Sequence, residues 1–125
     1  MLVADDSDSV QRAVVRLLGD AFEIVGVVAS GRELVDAART LHPDVIVSDL
    51  AMPSLGGAEA LKLLRDAGQM TPFVIMTATD WNPRKWIDLG AIGVVHKSDL
   101  HLDLAAAVRA AAAGEPFISR SALES

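Results

Sequence analysis

Val45-Ile46-Val47-Ser48-Asp49 runs three β-branched residues without a polar break and then stops at a hydroxyl and a carboxylate. Apolar side chains at consecutive positions, with no alternation, suit a strand buried on both faces, as in parallel sheets. A loop containing Pro53, Gly56 and Gly57 follows, and Ala58, Leu61 and Leu64 then recur at helical spacing until Gly68. This strand, polar end and helix is a unit that repeats in both directions. Upstream, Leu2 to Ala4 stop at Asp5 and Asp6, and Val10, Ala13, Val14, Leu17 and Leu18 stripe a helix. Phe22 to Val28 reads as a second strand. Ser30 with Glu33 three places on forms a capping box for a helix carrying Leu34, Ala37, Ala38 and Leu41, which Pro43 ends. Downstream, Pro72 to Met76 end at Thr77, and Asn82, Pro83 and Gly90 bound a helix of about two turns. Gly93 to Val95 form the last strand, ending at His96 and Lys97. Ser98 or Asp99 caps an alanine-rich helix with Leu104, Val108 and Ala112, terminated by Gly114 and Pro116.

Five such units in strict alternation predict an α/β domain, a parallel five-stranded sheet with helices on both faces. At 125 residues there is room for one domain, assigned to 1–117, with 118–125 as the start of a linker or a frayed end. With 51 % hydrophobic and 22 % charged residues the chain can build a core. Cysteine is absent, which excludes disulfide, thiolate, iron-sulfur and zinc-finger chemistry. The net charge of -6 makes the chain alone a poor ligand for a phosphate backbone. No apolar run approaches the ~18 residues of a membrane span and no signal peptide opens the sequence, so a cytoplasmic, membrane-free protein is expected.

In open parallel sheets ligands bind at the carboxyl ends of the strands. Those ends carry Asp5 and Asp6, Asp49, Thr77 and Lys97. Singly, each has an ordinary explanation: an aspartate after a strand caps a helix or shapes a turn, a threonine caps, a lysine is solvated. Four strand ends converging on one crevice are harder to explain that way. Three clustered carboxylates repel by about 1 to 4 kcal/mol per pair at intermediate dielectric, a cost that a bound cation offsets. Oxygen ligands alone suit a hard cation, and an open site suits Mg²⁺. A carboxylate beside Mg²⁺ can attack phosphorus, while Lys97 and Thr77 would hold phosphoryl oxygens. His42, His96 and His101 fall on different units and predict no metal site of their own.

The segments Leu2 to Asp6, Asp44 to Pro53, Val74 to Ala78 and Gly93 to Ser98, in that order and spacing, resemble a response-regulator receiver domain. The resemblance runs from Leu2 to about Phe117 and implies a flavodoxin-like sheet of order 2-1-3-4-5. It implies Asp49 as phosphoacceptor, Asp6 as direct Mg²⁺ ligand, Asp5 as a water-mediated one and the Ala51 carbonyl as the third protein ligand. Thr77 and Lys97 match the family's hydroxyl and lysine. Ser98 and the ending Gly114-Glu115-Pro116-Phe117-Ile118-Ser119 look like the NarL/FixJ branch of transcription regulators. Implied partners are a sensor histidine kinase, a second copy in a homodimer, and DNA only through a helix-turn-helix domain absent from this chain. No catalysis is implied beyond the domain's own phosphorylation and dephosphorylation.

Two departures stand out. Relatives carry an aromatic switch residue three places before the lysine, where this chain has Val94, and the stretch from Thr77 to Lys97 is about two residues short. Both tryptophans, Trp81 and Trp86, fall in that stretch, so the loop from Ala78 to Pro83 is expected to carry any signal. An alternative is a receiver that serves as an interaction module without phosphorylation. A phosphohydrolase or nucleotide-binding domain fits less well: no glycine falls in the turn from Asp5 to Ser9, and Ala51 offers no second carboxylate after Asp49.

Overall fold

A computed structural model describes residues 1–78 and 82–119. The strands are β1 (Leu2–Ala4), β2 (Gly26–Val28), β3 (Ile46–Asp49), β4 (Phe73–Thr77), β5 (Gly93–His96) and β6 (Phe117–Ile118). Between them run α1 (Asp8–Leu18), α2 (Gly31–Leu41), α3 (Gly57–Asp66), α4 (Pro83–Leu89) and α5 (Leu100–Ala112), the last preceded by a 3₁₀ turn over Lys97–Asp99. All pairings are parallel, in the order β2-β1-β3-β4-β5-β6. The expected five-stranded order is therefore extended by a sixth strand. It straddles the boundary expected after residue 117, with Phe117 paired with Gly93 and Ile118 with Val94. Two residues are too few for a periodicity; what selects this strand is the unpaired edge that β5 would otherwise present.

Strand side chains alternate between two cores, as the pleat requires. Val3, Val47, Met76 and Val95 face α1 and α5, whereas Leu2, Ile46, Ile75 and Val94 face α2, α3 and α4. The strand expected over Phe22 to Val28 is limited to its last three residues. Phe22 and Ile24 instead pack against the core beneath α1 and α5, so burial decides where β propensity was the guide.

Helix ends follow the sequence signals in part. The Ser30 hydroxyl accepts from the Glu33 N–H and donates to the Glu33 carboxylate, both at 3.2 Å. Pro83 takes the first helical position of α4, but the Asn82 side chain makes no capping bond. At α5 neither Ser98 nor the Asp99 side chain caps: the His96 ring turns back, and its Nδ1 accepts from the Ser98 N–H at 3.1 Å. Of the loop from Ala78 to Pro83, residues 79–81 lie outside the described residues. No helix among the described residues is long and apolar enough to cross a membrane.

Candidate functional site: an acidic crevice at the strand ends

Register brings the polar residues together. Ala4 is opposite Ser48 and Thr77 opposite His96, so Asp5, Asp49, Thr77 and Lys97 come level along one edge of the sheet. Carboxylate oxygens of Asp5, Asp6 and Asp49 all lie within 4.8 Å of one another. Asp5 is fully buried and Asp49 8 % exposed, while Asp6 faces solvent. The Lys97 ammonium reaches across from β5, 3.0 Å from Asp5 Oδ2 and 3.2 Å from Asp49 Oδ1. Thr77 is buried at the end of β4. Ala51 sits in the loop after β3, and its backbone N–H bonds the Asp49 carboxylate.

The surroundings fix these groups. The Ser7 N–H donates to Asp5 Oδ1 at 2.8 Å, and the Ser7 hydroxyl caps α1 by accepting from the Val10 N–H. The Gln11 amide donates to the carbonyl of Asp5 and, at 3.5 Å, to that of Val28, tying α1 to the point where β1 and β2 end. Behind Asp49, α3 begins so close that a Cβ on Gly57 would lie 2.0 Å from the Asp49 carbonyl oxygen. Only glycine allows that approach, which seats the first turn of α3 against the end of β3. Ser7 carried a sequence signal as a helix cap. Gly57 is legible only as a loop glycine, and Gln11 carries no local signal; both act through the strand ends that folding sets against them.

Burial is the largest influence on Asp49 and raises its pKa; the adjacent Asp5 charge pushes the same way, against the opposing pull of Lys97 and the Ala51 N–H. For Lys97, burial alone would lower the pKa, but Asp5 and Asp49 together outweigh it and raise it. The ammonium is thus held charged between two carboxylates. One lysine does not balance three acids. Asp5 Oδ2 is buried, and its one partner among the described residues is the Lys97 ammonium, which it shares with Asp49. That under-satisfied oxygen, in a set of oxygen donors of suitable spread, fits a hard divalent cation such as Mg²⁺.

A family model described as "Response regulator receiver domain" matches residues 1–109. The response regulator GacA of Pseudomonas viridiflava is 33 % identical over 123 residues, covering 95 % of this chain and 58 % of GacA. A protein-glutamate methylesterase/protein-glutamine glutaminase of Archaeoglobus fulgidus is 39 % identical over 104 residues, covering 79 % of this chain and 30 % of that protein. The chain thus spans little more than half of the first relative's length and less than a third of the second's. Among solved structures, a LuxR-family two-component response regulator from Aurantimonas superposes with a TM-score of 0.90 at 28 % identity, covering 98 % of this chain and 91 % of that one. Fold, acidic crevice and family match agree: the chain belongs to the response-regulator receiver family of two-component systems.

Proposed function

We propose that this domain accepts a phosphoryl group on Asp49 from a sensor histidine kinase and passes the change to an output, transcription through a DNA-binding domain joined to it. The observation that carries this reading is the half-screened Asp49 carboxylate, 3.2 Å from the Lys97 ammonium and beside two further acids. One Asp49 oxygen attacks the phosphorus of the donor. The bond from phosphorus to the donor's nitrogen or oxygen breaks, its electron pair leaves with the donor, and Asp49 becomes an acyl phosphate. Lys97 is placed to offset charge on the phosphoryl oxygens, and the Thr77 hydroxyl to donate to one of them. Asp6, Asp49 and the Ala51 carbonyl, with Asp5 through water, would hold Mg²⁺, which supplies charge neutralisation to the transfer. The chain catalyses nothing beyond its own phosphorylation and dephosphorylation, and a homodimer is its expected assembly. The LuxR-family neighbour supports the transcriptional output and the NarL/FixJ branch.

The test is incubation with acetyl phosphate and Mg²⁺ followed by intact mass. One phosphoryl group should be gained by wild type and none by Asp49→Asn. Unlabelled wild type would instead favour the phosphorylation-independent interaction module, the reading that Val94 in the aromatic position supports.

A further inference from the structure

Trp86 on α4 is 6 % exposed, in the same apolar cluster as the fully buried Val94. Its indole Nε1 is buried without a hydrogen-bond partner. A buried donor with no acceptor is disfavoured, and native proteins keep few of them. Lys85 stands 4.8 Å from the centre of the ring, which its cation engages through the π face and not through the N–H.

The two elements that meet at Trp86 differ in their freedom. Val94 is an interior residue of the sheet: it pairs with Ile75 on β4 and Ile118 on β6, and its carbonyl accepts from the Ser119 N–H at 3.0 Å. A β-branched side chain so enclosed has little room to change rotamer. Helix α4 is seven residues long, carries no side-chain cap at Asn82 and ends at Gly90 with φ +124°. Short helices owe their position to packing more than to their own stability. If the apolar cluster rearranges, α4 is the part able to move.

We propose that Trp86 is the aromatic group that reads the state of the Asp49 site: its indole N–H lacks an acceptor in the conformation described and gains one when α4 shifts. This regulation rests on the phosphoacceptor reading of Asp49. The orphaned donor disfavours the resting conformation, so gaining an acceptor pulls toward the activated one, and by reciprocity strengthens binding of the activating group. The aromatic ring thus sits on the helix, while the strand position in the same cluster, Val94, keeps a small, fixed residue.

The experiment follows the indole directly. In a Trp81→Phe background, labelled with ¹⁵N, the Trp86 indole resonance is recorded before and after Mg²⁺ and beryllofluoride are added. Occupancy of Asp49 is read separately by ¹⁹F resonance, so failure of the site and failure of the switch are distinguishable. With the site occupied, the indole proton should move downfield, as a donor does on gaining an acceptor. Trp86→Phe keeps a ring and removes the N–H, and its beryllofluoride affinity should fall about fivefold or more. An indole resonance unmoved at full occupancy overturns the proposal, as does a folded Trp86→Phe variant whose affinity stays within about twofold of its parent. The resonance test keeps the question decidable even if Trp86→Phe does not fold.

Discussion

The two ends of the sheet treat buried charge in opposite ways. At the amino end the half-buried Arg65 guanidinium donates to the carbonyls of Gln69, Thr71 and Gly90 at 2.8, 2.8 and 3.0 Å. The Gln69 amide closes the same region onto the Ala38 carbonyl at 2.9 Å. Burial lowers the Arg65 pKa, yet neutral acceptors surround its donors and no like charge opposes it. At the carboxyl end Asp5 and Asp49 share one ammonium beside a third acid, Asp6, and one buried Asp5 oxygen has no partner but that ammonium. Groups that serve only the fold are satisfied by the fold. At Asp5 and Asp49 the deficit is one that a cation from outside the chain can fill.

Removing the central cation from each end should separate these roles. Lys97→Met leaves Asp5 and Asp49 buried together, and should destabilise the metal-free domain by about 3 to 5 kcal/mol in urea unfolding. Mg²⁺ should recover more stability in that variant than in wild type, while labelling by acetyl phosphate drops sharply. Arg65→Met orphans three carbonyls, and should cost about 2 to 3 kcal/mol with no recovery by Mg²⁺ and an unchanged labelling rate. Equal Mg²⁺ responses in the two variants would erase the distinction.

Mg²⁺ itself should raise wild-type stability by about 2.7 kcal/mol at a hundredfold excess over Kd, seen as an upward shift in Tm. Asp6→Asn removes one charge of the cluster, so it should melt above wild type without metal and gain less from it. An identical Mg²⁺ response in mutant and wild type would contradict Asp6 as a ligand.

Acid titration sharpens the contrast at the smallest scale. The folded Asp49 pKa lies above the ordinary carboxylate value of 3.8, chiefly through burial. Folding then binds that proton more tightly, so the stability penalty is absent below 3.8 and grows as pH rises through the folded pKa. Metal-free wild type should therefore lose stability relative to Asp49→Asn as pH rises from below 4 toward neutrality. Asp44 at the amino end behaves inversely. Its hydrogen bond to the Met1 ammonium holds its pKa down, giving stability present above the unfolded value of 3.8 and lost as pH falls through the folded one. Asp44 is well exposed, so Asp44→Asn should cost less than about 0.5 kcal/mol at neutral pH.

Much of this is legible in the sequence, because four strands, β1, β3, β4 and β5, read as apolar runs that stop at a polar residue at the same relative place. Once the strands are parallel and in register, Asp5, Asp49, Thr77 and Lys97 must meet at one edge. What escaped the sequence depends on partners brought near by folding. Strand β6 exists because β5 has an edge to cover. The His96 ring caps the turn before α5 because β5 ends there, although Ser98 and Asp99 have the better capping chemistry. Trp86, beside charged Lys85 in a short helix, carries no sign of its burial; only the cluster around Val94 supplies it.

Strand β6 also has a mechanical meaning. Ser119 is fastened twice to β5, by its N–H to the Val94 carbonyl at 3.0 Å and by its hydroxyl, which accepts from the His96 N–H at 3.1 Å. His96 is the residue before Lys97, so this fastening ends one peptide short of the ammonium that spans Asp5 and Asp49. A tug on the chain beyond Ser119 is delivered as shear along β5, with almost no slack, to the root of that lysine. Leverage runs equally in reverse, and a pull on Lys97 is met within one peptide by the two bonds that hold Ser119 to β5.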